Sequence, residues 1–212
     1  MSEVIGNITR PIPIDKEVSW DKTQTIMSKT DLYGTIEYAN EAFVDVCGYE
    51  DYELMAQPHN IIRHPDMPKV VFKVLWDNIK LGNKFHGIVK NLAKSGRYYW
   101  VITDFEYLKD EDGVIKNYIA RRKAVPQAVI SNHIEPLYKR LLQIEQASGL
   151  VASEKYLIGY LEEKGLSYVD LITKLMIDDS KVQQQVVQTV SENIYEEEEE
   201  ERRGFFSRFF GN

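Results

Sequence analysis

Twelve consecutive residues, Gln57-Pro58-His59-Asn60-Ile61-Ile62-Arg63-His64-Pro65-Asp66-Met67-Pro68, gather two of the chain's four histidines, an arginine, an aspartate and three prolines. Imidazole, guanidinium and carboxylate groups set this close together can grip a polar ligand, and a carboxylate there can equally cap a helix. Pro65 biases His64 away from helical backbone and Pro68 does the same to Met67, so the segment is stiff before any ligand arrives. Asp66 stands where a helix could start, and an apolar, helix-period segment follows over residues 67–81 up to Gly82. Ligand clamp and helix cap are both open at this point.

Several other chemistries are disfavoured. His64 has no second histidine or carboxylate at ligand spacing, so no metal site is expected. The single cysteine, Cys47, has no disulfide partner and reads as a small buried residue. A phosphate-binding glycine loop, an activated serine and paired carboxylates are all missing, so no catalytic residues and no enzyme are expected. The net charge is −7, and the run Glu196–Glu201 carries six of those negative charges; the rest is nearly neutral, which disfavours a nucleic-acid surface. With no signal-peptide core and no apolar run of spanning length, a cytoplasmic protein is expected.

The elements that must position the polar stretch read as follows. Residues 1–20 form a lead-in anchored at most by Ile12, Ile14 and Trp20, and a densely punctuated domain of mixed pattern follows over 21–125. Short strands are expected at 25–28 and 34–38, then a helix at 40–47 capped by Asn40 and closed by Gly48. In the 67–81 helix, Lys69, Lys73, Asp77 and Lys80 form one polar stripe. Its wide apolar remainder asks for two neighbours: a sheet, and either a ligand or another helix. Three strands at 84–92, 97–108 and 114–121 are joined by Lys94-Ser95-Gly96 and Glu111-Asp112-Gly113 turns. The middle one is apolar at both parities, as a central strand would be. The order predicts an α+β domain: one antiparallel sheet of five strands with helices on one face.

Residues 126–194 read as an all-helical extension. Ile130, Ile134, Leu137, Leu141 and Ile144 follow coiled-coil spacing, and Pro136 must kink that helix or begin it. Residues 153–163 are amphipathic and can close at Gly165, Ser167-Tyr168-Val169-Asp170 resembles a capping box, and 181–194 continue more weakly. Residues 195–212 hold the acidic run and an Arg/Phe tail in which Phe205, Phe206, Phe209 and Phe210 form a candidate docking motif.

Several ordered motifs carry a family resemblance. Thr30-Asp31, Tyr38-Ala39-Asn40, Phe43 and Gly48-Tyr49 lead into the polar stretch, and Gly87-Ile88-Val89-Lys90-Asn91 and Tyr99-Trp100-Val101 follow it. Together they closely resemble the PAS domain of Aer-type aerotaxis receptors over roughly residues 20–125, with a weaker echo in Glu135-Pro136-Leu137-Tyr138-Lys139. The resemblance implies the PAS fold, an FAD cofactor and a redox output to a chemoreceptor signalling domain. Carried over by position, the implied flavin-binding residues are Asn40, His59, Arg63, His64, Asp66, Phe72, Trp76, Asn91 and Tyr99. Where the family has a tryptophan before the Gly87–Asn91 run, this chain has Phe85 followed by His86; the ring is kept and the indole donor lost.

The residue chemistry suits that implication. Asn40 and Asn91 amides can meet a flavin's pyrimidine edge, Arg63 can fork a pyrophosphate, and Phe72 and Trp76, one turn apart, can stack on one ligand. On their own, those two rings would read as core. The main expectation is a cytoplasmic FAD-binding sensor of redox or energy state, with Asn91 as the switching amide. Its partner would be a separate, membrane-bound chemoreceptor-like protein, and a homodimer is possible. Two alternatives stay open: a cofactor-free adaptor whose own side chains fill the pocket, and a haem-based oxygen sensor ligated by His64. A thiol-adduct photoreceptor is disfavoured, because Cys47 lies outside the segment Asn60-Ile61-Ile62-Arg63 where that cysteine would stand.

Overall fold

The computed structural model describes residues 4–5 and 8–185, with side chains from residue 10 onward. It divides into two compact units, Met1–Ile172 and Thr173–Asn212. The glutamate run, the four tail phenylalanines and the weak helical pattern beyond residue 185 lie outside the described residues.

In the first unit, β1 (Val4–Ile5) and β2 (Ile8–Thr9) make a small antiparallel hairpin. The chain then lays down β3 (Ile26–Thr30), β4 (Ile36–Ala39), α1 (Glu41–Cys47) and α2 (Asp51–Leu54). A 3-10 turn at His59–Ile62 and α3 (Lys69–Ile79) follow, then β5 (His86–Leu92), β6 (Tyr98–Lys109) and β7 (Ile115–Ala124). The five main strands form one antiparallel sheet in the order β4-β3-β7-β6-β5, so the last strand made closes the sheet in its centre. The α+β class expected from the element order is what the chain adopts. In β6, Tyr99, Trp100 and Val101 are buried in succession, as a strand covered on both faces requires.

Local chemistry explains the ends of α1. Asn40 Oδ1 accepts the Phe43 amide at 3.1 Å, and Gly48 takes the left-handed conformation, φ 69°, that ends the helix. Asp66 behaves differently from the sequence expectation, for it does not cap α3. The helix opens at Lys69 with Pro68 in the cap position and no side-chain cap of its own, while Asp66 turns away to pair with Lys90 at 2.8 Å. The missing acceptor comes from a distant element: Glu145 receives the amides of Lys69 and Val70 at 2.9 and 2.8 Å.

The lead-in also differs. Ile12 and Ile14 are exposed, and the backbone anchors the segment instead, through Ile14 N–H to Gly96 O, Tyr98 N–H to Lys16 O and Val18 N–H to Tyr98 O. Gly96 is required here: its φ is +82° and a Cβ would run into the Ile12 carbonyl.

Beyond the sheet come α4 (Gln127–Val129), a π turn at Ile130–Ile134, α5 (Glu135–Ser148) and α6 (Leu150–Lys164). The wide turn lies immediately before Pro136, where the missing proline N–H would otherwise break the ladder. Ile130, Ile134, Leu137 and Leu141 bury the expected seam. Gly149, φ +82°, separates α5 from α6, and the capping box opens a further helix at residue 168, with Asp170 N–H donating to Ser167 Oγ at 3.1 Å. The second unit is helical through residue 185. Among the described residues, no helix is long and apolar enough to cross a membrane.

Candidate functional site

Sheet register builds one wall of a cavity. The pairs Thr30↔Tyr118 and Ser28↔Ala120 join β3 to β7, and Phe105↔Ala120 and Thr103↔Arg122 join β7 to β6. Period-two alternation turns all of these side chains to one face, together with Val89 and Asn91 of β5. Phe72, Leu75, Trp76 and Ile79 of α3 face them, and His59, Ile62 and Arg63 close the end. The enclosed volume is about 390 Å³. Tyr33 and Asn60, both solvent-exposed, mark the mouth.

The polar groups on this wall are unevenly satisfied. The Arg122 guanidinium, 4% exposed, donates to Ser28 Oγ at 3.0 Å and to His59 Nε2 at 2.8 Å. Burial and the adjacent guanidinium push His59 down to about 3, so its ring is a neutral acceptor. Burial also pulls Arg122 down, to about 10, still a cation at neutral pH. Among the described residues no carboxylate pairs with it, and no carboxylate lines the cavity. The other buried cation, Lys90, has Asp66. Asn91 Nδ2 and Thr103 Oγ1, 4% and 2% exposed by residue, have no hydrogen-bond partner. Such atoms carry the cost of desolvation, roughly 1–3 kcal/mol each, with no bond to offset it.

Of the residues singled out from sequence, the structure brings His59, Arg63, Phe72, Trp76 and Asn91 together on the wall. The Arg63 guanidinium stacks on Phe72 at 4.3 Å and donates to the Met67 carbonyl at 3.1 Å. Trp76 meets Tyr118 edge-on at 6.0 Å and packs over Gly34. The remaining residues lie off the wall. Asn40 spends its amide on Met27, Phe43 and Thr25. His64 is buried against Tyr98 and accepts the Asp66 amide, and the Asp66 carboxylate is outside with Lys90. Phe85 stacks on Tyr168 at 5.7 Å, and Tyr99 is fully buried with an unpartnered hydroxyl. Sequence reasoning missed Arg122 by ending its strand at residue 121, one short of Arg122, where β7 runs on to Ala124. The alternation Tyr118, Ala120, Arg122 was the available signal.

The antiparallel sheet with a lined cavity beneath a helix has the arrangement of the PAS fold, and residues 36–121 match the family model described as PAS fold. The same region is similar to part of an aerotaxis receptor. Over 118 residues it is 45% identical to the aerotaxis receptor of Escherichia coli (strain K12), an alignment covering 55% of this chain and 23% of the receptor. The bacterioopsin transcriptional activator of Halobacterium salinarum is 26% identical over 95 residues, 45% of this chain and 14% of that protein. The chain thus spans under a quarter of the length of these curated relatives. A solved light-oxygen-voltage domain studied with a flavin analogue is 22% identical, with TM-score 0.45, covering 59% of this chain and 89% of that one.

Proposed function

We propose that this PAS domain is a flavin-based redox sensor, holding FAD in the cavity and relaying its state to a separate chemoreceptor-like signalling protein. The two buried, unpartnered polar atoms, Asn91 Nδ2 and Thr103 Oγ1, on an otherwise aromatic and aliphatic wall carry the reading. They ask for a flat apolar ligand with hydrogen-bonding edges, and the volume lies within the range of small-molecule sites. The residues fit a flavin. Phe72 and Trp76 offer ring faces one turn apart, Asn91 offers a donor beside an acceptor, and the uncompensated Arg122 suits an electron-accepting ring. Arg63, half-buried at the end of the cavity, suits a phosphate. A bound flavin would supply a two-electron redox centre there.

The chain's own part is to read a change in hydrogen-bond polarity. An amide such as Asn91 can present either its donor or its acceptor, so it rotates when its ligand partner reverses. Asn91 sits on β5, whose Ile88 carbonyl receives the Tyr138 hydroxyl of α5 at 2.6 Å. The cavity wall and the C-terminal helices are therefore in direct contact.

Visible spectra with and without dithionite test the proposal. Freshly isolated protein is expected to be yellow and to bleach on reduction; colourless protein that takes up no FAD overturns the reading. Asn91→Ala that keeps FAD, yet shows the wild-type contrast between oxidised and reduced partner binding, overturns the relay. The haem alternative loses its ligand, because His64 is off the cavity wall.

A further inference from the structure

The helix α3 supplies much of the cavity wall, yet it cannot satisfy its own first turn. Pro68 offers no side-chain acceptor. An eleven-residue helix is also below the length, about 12–15 residues, at which isolated helices become even marginally stable. Both oxygens of the Glu145 carboxylate take up the shortfall, at 2.9 Å from the Lys69 amide and 2.8 Å from the Val70 amide. Negative charge thereby sits at the positive end of the helix dipole. One turn further on, Lys73 Nζ bridges Asp77 and Glu154, each at 2.7 Å, and these two bonds raise its pKa. Glu145 belongs to α5 and Glu154 to α6, the two arms of the hairpin that turns at Gly149. No hairpin residue lines the cavity. The hairpin touches elements that do: α3 and, by way of Tyr138, β5 and β6.

Thus α3 has two supports: the hairpin at its N-terminal end and outer side, and whatever fills the cavity beneath Phe72 and Trp76. We propose that the α5–α6 hairpin is a ligand-responsive clamp, with Glu145 as the positioning residue that links cavity occupancy to hairpin docking. A ligand that orders α3 fixes the amides Glu145 must meet, and a docked hairpin fixes the wall the ligand must meet. Each event lowers the ordering cost of the other, and by linkage the coupling is the same in both directions. The inference rests on the cavity's taking FAD, as proposed above.

Hydrogen exchange and FAD titration of the full chain, for wild type, Glu145→Gln and Glu145→Ala, test the clamp. Far-ultraviolet circular dichroism checks that each variant is folded. In wild type, FAD is expected to slow exchange across α5 and α6 as well as at the Lys69 and Val70 amides. Glu145→Ala is expected to bind FAD about fivefold or more weakly and to lose the hairpin response. Glu145→Gln, which keeps one acceptor, is expected to retain part of both, whereas a merely structural role would leave the response to FAD intact in every folded variant. Wild type that binds FAD with no change in hairpin exchange overturns the clamp alone, as does Glu145→Ala with unaltered affinity and response. Wild type that takes up no FAD overturns the flavin reading and the linkage together.

Discussion

Arg122 donates to His59 Nε2 at 2.8 Å, and this bond joins a buried cation to a ring that burial keeps neutral. The pair stacks against Phe43, whose ring lies 5.7 Å from that of His59 and 5.5 Å from the guanidinium carbon. A positive charge is thus presented to the cavity without an acid to neutralise it; Ser28 Oγ and the Ala120 carbonyl hold one guanidinium nitrogen, and the other depends on His59.

That dependence gives a stability prediction. His59→Leu leaves a buried guanidinium donor unmatched and is expected to cost about 2 kcal/mol. His59→Gln, whose amide oxygen can accept the same bond, is expected to cost clearly less. Urea unfolding of the FAD-free protein measures both; equal losses would show that the acceptor is immaterial.

Thr103→Val should move stability and binding in opposite directions. The substitution keeps the shape and removes a buried hydroxyl that has no partner, so the empty protein should gain roughly 1 kcal/mol. FAD affinity should fall by a factor of about five, the cost of one hydrogen bond of about 1 kcal/mol. Denaturation of the empty protein and flavin titration decide the matter, and a variant that is both less stable and equally tight would contradict it.

The pH dependence of stability follows from His64. Burial first and Lys90 second push it down to about 4 from an ordinary 6.5, with Asp66 pulling the other way. The unfolded chain therefore takes up this proton at a higher pH than the folded one. Stability is complete above 6.5 and falls as the pH drops from 6.5 toward 4. His59 adds a loss of the same sign, with its window reaching about 3. Urea midpoints measured at descending pH should show the decline, and His64→Gln should flatten part of it. A profile unchanged by that substitution would remove His64 as a cause.

Tyr138→Phe probes the link between sheet and helices. The hydroxyl donates to the Ile88 carbonyl at 2.6 Å and meets the Tyr168 hydroxyl at 2.5 Å, with the ring 6.2 Å from Trp100. Losing the hydroxyl is expected to cost about 1–2 kcal/mol, to speed exchange in α5 and, because hairpin docking and cavity occupancy are coupled, to weaken FAD binding as well. Weakened FAD binding with α5 undisturbed would reverse the assignment.

How legible each part was depends on how far its interactions reach. The helix from Asn40 to Gly48 could be read directly, because its cap and its left-handed terminator are neighbours in sequence. Asp66 misled for the complementary reason. It stands at a plausible cap position, but Pro68 delays the helix, and Lys90, brought alongside by β5, draws the carboxylate away. Nothing local marks Glu145 as the cap of a helix that begins 76 residues earlier. On the cavity wall, Phe72 and Trp76 were visible because one helical turn relates them, whereas Arg122 lay one residue beyond the expected strand end.

By itself, the sequence determined the order of strands and helices, the turns between them, the α+β class and the aromatic stripe of α3. Those rest on backbone preferences, caps and periodicities that act within a few residues. Only the tertiary structure decided that Thr103 faces Arg122 across two strands, that Asn91 keeps an unsatisfied amide, and that Asn40, His64 and Tyr99 lie off the cavity wall. Cross-strand register and the burial of charge arise when the sheet closes, and until then no residue has the neighbours that define its role.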